Sequence, residues 1–71
     1  MSVSDFFAWS PVRRLMKNQG AEIVARDAVD RLIIHLEKIS KELTRNALSY
    51  AHHAGRKKIT VGDIELAIKY L

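Results

Sequence analysis

From Asp27 to Ala54 the chain contains no glycine or proline, and apolar or small residues recur at Val29, Leu32, Leu36, Ile39, Leu43, Ala47, Tyr50 and Ala54. Every step in that series is three or four residues, the spacing that lines side chains along one face of an α-helix. Ile33, Ile34, Leu48 and Ala51 widen the stripe. At 1.5 Å per residue, about 28 residues make a rod about 42 Å long. Gly55 ends it.

The flanking segments read as shorter helices. Ser10 suits a helix N-cap and Pro11 the first helical position, where a missing N–H costs nothing. Val12, Leu15 and Met16 follow at helical spacing, and Asn18-Gln19-Gly20 closes the segment, with Gly20 free to take a left-handed conformation. On the far side of the rod, Thr60-Val61-Gly62-Asp63 reads as a capping box with Asp63 in the place of the usual Glu. Ile64, Ala67, Ile68 and Leu71 then repeat at i, i+3, i+4 and i+7. Ile23-Val24 and Lys58-Ile59 are expected as very short strands in the two loops, and Ser4 as the cap of a short helical turn near the start. The fold class is therefore all-α: short helix, long central helix, short helix.

Length changes what this pattern means. A single domain of 71 residues buries only about 60% of its unfolded surface and needs a disulfide, a metal or a partner chain. There is no cysteine, and His35, His52 and His53 fit no zinc-ligand spacing, so no metal or other cofactor is expected. Two short helices cannot cover a 42 Å apolar rod (about that length by its helical rise), so the uncovered face must meet a second chain.

Charge narrows the ligand. The net charge is +4 and the pI about 9.8, which favours a polyanion, nucleic acid before a membrane surface. No apolar run approaches the roughly 20 residues of a bilayer span, and the start lacks the pattern of a signal peptide, so the protein is expected inside the cell. No nucleophile–base pair or phosphate-binding loop is present and the volume is too small for a pocket, so neither an enzyme nor a small-molecule substrate is expected.

The stretch Ala51–Ala67, AHHAGRKKITVGDIELA, resembles the second half of archaeal histones, in which a His-Ala-Gly-Arg-Lys run ends the long helix and an Asp-Ile-Glu-Leu-Ala run begins the last. Pro11, Arg14, Lys17, Gly20-Ala21-Glu22 and Asp27-Ala28 extend the resemblance, which covers Pro11 to Leu71 without a gap. It implies a histone fold over residues 10–71 behind an apolar leader, residues 1–9. It also implies a handshake homodimer whose long helices cross antiparallel, with Val29, Leu32, Leu36, Ile39 and Leu43 in the dimer core. The first loop of one subunit then lies beside the second loop of the other, and double-stranded DNA follows an arc of paired loops and first-helix ends. Arg26, Lys57 and Lys58 would contact phosphates from the loops, and Arg14 would enter the minor groove; Arg13, Lys17 and Thr60 complete the candidate DNA-binding set. Arg56 and Asp63 would form an internal salt bridge across the second loop, with Asp63 also able to cap the last helix. Tyr50, His53, Asp63 and Leu66 would meet a second dimer, building tetramers or filaments.

The chain departs from the family at three places. Ile23 stands where many members carry a phosphate-contacting Arg, Lys58 stands where Thr is common, and the leader with Phe6, Phe7 and Trp9 is unusually apolar. The leader would cover the core or form an extra interface. The function these features imply is an architectural chromatin protein that wraps or compacts DNA on the chromosome with little sequence preference. The alternative is a histone-fold interaction subunit, heterodimeric and weak on DNA, within a transcription or other multiprotein complex. The two separate on whether the purified chain pairs with itself and binds duplex DNA.

Overall fold

The structure, a computed structural model, describes residues 4–71. Three helices run in chain order: α1, Trp9–Asn18; α2, Arg26–His53; α3, Val61–Lys69. The all-α order of short, long and short elements is the one expected, and α2 has 28 residues against 10 and 9 in its neighbours. No strand occurs among the described residues. Ile23-Val24 and Lys58-Ile59, expected as short strands, are irregular backbone. A strand exists only against a ladder partner, and a single chain supplies none for either segment.

Helix α1 begins earlier than expected. Its N-cap is Ala8, in extended conformation and without a side-chain hydrogen bond, so Ser10 and Pro11 lie inside the first turn and do not open it. The first four N–H groups of a helix have no intrahelical acceptor, so proline is tolerated at the third helical residue as well as the first. Before α1, the Ser4 hydroxyl oxygen accepts from the Phe6 and Phe7 N–H groups at 3.0 and 3.3 Å. Ser4 thus ties down a bend, not the short helical turn expected there.

Both glycines that follow helices have positive φ, +111° at Gly20 and +73° at Gly55. After α1 the Gly20 N–H donates to the Lys17 carbonyl and the Ala21 N–H to Met16; after α2 the Gly55 N–H donates to His52 and the Arg56 N–H to Ala51. This paired arrangement closes a helix by satisfying its last carbonyls. It turns the chain at once, which is why α2 stops at His53 although the apolar repeat continues to Ala54.

Two compact units divide inside α2, between Lys38 and Ile39. In the first, Val29 and Ile33 are fully buried; in the second, Ala47, Ala51 and Ala67 are. Three of these five residues are alanines, a small apolar core. Of the expected dimer-core positions, Val29 is buried within its own chain, whereas Leu32, Leu36, Ile39 and Leu43 are only half-buried. Apolar side chains left open elsewhere include Ile23, at 91% exposure, and Ile34, Leu48, Ile68 and Leu71. A stripe of half-covered leucine and isoleucine along a long helix is a surface built to be covered.

Candidate nucleic-acid interface

The candidate basic residues are divided between the body of α1, the start of α2 and the second loop. In the first unit, Arg13, Arg14 and Lys17 lie on α1 and Arg26 is the first residue of α2. Arg14, Lys17 and Arg26 are exposed and Arg13 is half-buried. A concavity of about 890 Å³ is lined only by α1 residues, Arg13, Arg14 and Lys17 among them. One helix cannot enclose a ligand, so this is an open cationic surface suited to a large anion.

The indole of Trp9 carries two of these cations. The Arg13 guanidinium carbon lies 5.9 Å from the ring centroid and that of Arg26 lies 5.5 Å from it. Both distances fall within the range of cation–π attraction. Sequence reasoning missed this role. The spacing of Trp9 and Arg13, four residues apart on one helix, was the available signal.

In the second unit, α3 opens with the expected capping box. Thr60 Oγ1 accepts from the Asp63 N–H at 3.4 Å, and Asp63 Oδ2 accepts from the Thr60 N–H at 2.9 Å. The same carboxylate receives Arg56 in a two-pronged contact, Nη1 to Oδ2 at 2.8 Å and Nη2 to Oδ1 at 3.0 Å. Thr60 Oγ1 also donates to Oδ2 at 3.1 Å, and Arg56 Nη1 reaches back to the Lys58 carbonyl at 3.0 Å. Asp63 therefore pairs with Arg56 and caps α3 at once, so both roles considered for it coexist. Between these anchors Lys57 and Lys58 are exposed. Tyr50 is half-buried, His53 exposed and Leu66 38% exposed. Asp63 is buried at 5% exposure, and its Oδ1 accepts only one of the hydrogen bonds described.

These contacts hold the Asp63 carboxyl well below the usual carboxylate range. The Arg56 side-chain hydrogen bond is the largest cause and the Thr60 backbone bond the next; burial opposes them. A carboxylate whose folded pKa lies below its unfolded value, about 3.9, stabilises the fold fully above that value and loses the contribution as pH falls toward the folded one. Asp63→Asn should melt well below the wild type at about pH 7, and the gap should narrow toward about pH 2. Melting curves at the two pH values check this; an unchanged gap would count against the linkage.

Among the described residues no group of three His, Cys, Asp or Glu side chains could hold a metal ion, and no helix is long and apolar enough to cross a membrane.

The profile of a family described as histone-like transcription factor (CBF/NF-Y) and archaeal histone matches residues 6–68. Two relatives align over 60 residues each, 84% of this chain and 90% of theirs. One of the archaeal histone HAN1 subunits of Thermococcus zilligii is 40% identical, and probable archaeal histone 3 of Methanocaldococcus jannaschii is 33% identical.

Proposed function

The chain belongs to the family of histone-like transcription factors and archaeal histones, and from that premise we propose that it binds double-stranded DNA by the backbone, as a homodimer, and packages it with little sequence preference. The family is one of structural DNA-binding proteins and not of enzymes. Both similar proteins are named as archaeal histones, which favours packaging over the role of an interaction subunit. Such a protein resides with the chromosome.

The observation that carries the reading is the placement of charge. Arg14 on the middle of α1, Arg26 at the start of α2, and Lys57 and Lys58 in the second loop are all exposed. None of them is paired with a carboxylate among the described residues. Cations at such positions meet phosphates without first breaking an internal ion pair. The helix N-termini beside them add backbone donors of the kind phosphates accept. Arg13, Lys17 and Thr60 belong to the same surface in this proposal, with Arg56 serving the loop first and DNA second.

Dimerisation is supported by the half-covered stripe of α2, Leu32, Leu36, Ile39 and Leu43. Further assembly would use Tyr50, His53, Asp63 and Leu66. A carboxylate has about four acceptor positions, so a His53 N–H of another dimer would find room at Asp63 Oδ1.

A salt titration tests the proposal. If Arg14, Arg26, Lys57 and Lys58 each meet one phosphate, a dimer makes about eight contacts, and log K against log salt should fall with a slope near −7 (roughly −0.9 per contact). Lys57→Ala should weaken binding to every duplex alike and flatten the slope by about 2, one contact from each protomer. Binding that ignores salt, or a variant that loses one sequence only, would contradict backbone recognition.

A further inference from the structure

We propose that Trp9 is a positioning residue for DNA binding, holding the Arg13 and Arg26 guanidinium groups over its indole ring so that the two present a ready-made phosphate site. The proposal rests on the DNA-binding reading and adds a residue to it. Trp9 is the first residue of α1, Arg13 lies one turn further along the same helix, and Arg26 opens α2 beyond the intervening loop. A single ring thus ties the N-terminal ends of two helices through two cations, at 5.9 and 5.5 Å from its centroid.

Neither arginine is paired with a carboxylate among the described residues. Two like charges over one ring repel each other, and cation–π attraction offsets part of that repulsion. An anion between or beside them removes the rest. Arginine also loses side-chain freedom when it binds, and a guanidinium already held on an aromatic face has lost much of it during folding. The indole Nε1 is buried without a hydrogen-bond partner among the described residues. A buried donor left unpaired is unfavourable, so contacts to the ring face, not a bond to the ring nitrogen, hold Trp9 in place. An indole kept there for its face is expected to be replaceable by another aromatic ring and not by an aliphatic side chain.

The experiment compares wild type, Trp9→Phe and Trp9→Leu for binding to a short mixed-sequence duplex at fixed salt. Phe keeps an aromatic face; Leu keeps apolar volume only. Trp9→Leu should bind about tenfold more weakly, with Trp9→Phe recovering most of the loss. Trp9 is the chain's one tryptophan, so its emission gives a second readout that does not depend on whether the Trp9 variants fold. Saturating duplex should change that emission in wild type, and the change should vanish in the Arg13→Gln/Arg26→Gln double variant. Wild-type emission indifferent to bound duplex, or Trp9→Leu binding as tightly as wild type, overturns this inference and leaves the DNA reading standing. A wild type that binds no duplex overturns both.

Discussion

Leu36→Asp is expected to leave no folded protein at concentrations where the wild type is fully helical. Leu36 lies on the α2 stripe between Leu32 and Ile39, and all three are half-buried in the single chain. If a second copy completes their burial, the variant forfeits the transfer of a leucine from water, about 1.5–3 kcal/mol. It also forces a charge into the same place, at a further several kcal/mol. Both losses occur twice in a dimer. A domain's whole stability is typically about 5–15 kcal/mol, and here the chain's own nearly wholly buried apolar side chains among the described residues are Val29, Ile33 and three alanines. No reserve remains to hold a monomer together. Far-ultraviolet circular dichroism with sedimentation checks the outcome, and Asn46→Asp, on an exposed position of the same helix, should fold normally. A folded Leu36→Asp monomer of 8.1 kDa would show that α2 does not need a partner.

Neutralising Arg14, Arg26, Lys57 and Lys58 together, each to Gln, should abolish duplex binding while leaving the fold intact. All four side chains are exposed, so the cores of both units are untouched. The formal charge drops from +4 to zero, because eight of the 12 basic residues remain against eight acidic ones. About eight phosphate contacts per dimer disappear, and the affinity should fall by at least about a thousandfold at low salt. Electrophoretic retardation of a duplex at low salt, read beside the helical signal, separates lost binding from lost folding. Affinity within tenfold of wild type would mean that other residues carry the DNA.

The long helix was legible because its evidence is redundant. From Asp27 to Ala54 the apolar steps, the absence of glycine and proline, and the stop at Gly55 all agree. The capping box was legible for a similar reason, since Thr60 and Asp63 at that spacing have one local geometry to adopt. The start of α1 was misplaced because Ser10-Pro11 is equally acceptable a residue or two further into the first turn of a helix, where the N–H groups are still unpaired. The two expected strands failed because strand formation depends on a neighbour that no local pattern supplies. In the candidate site, the pairing of Arg56 with Asp63 followed from the family resemblance. The meeting of Arg26 with Trp9 could not be read, since they are distant in sequence and only the turn after α1 brings them together.

The second loop carries a further consequence. Lys57 and Lys58 sit inside a backbone closed at both ends, by the Gly55 turn on one side and by Arg56, Thr60 and Asp63 on the other. Its conformational entropy is surrendered when the chain folds, so approach to DNA freezes little that was free. The residue most responsible for that readiness is Asp63, an acid at the heart of a cationic surface. Counting charges would mark it as a defect in a DNA-binding protein. Its negative charge is spent inward, on Arg56 and the start of α3, and its effect on DNA is to keep two lysines from wandering.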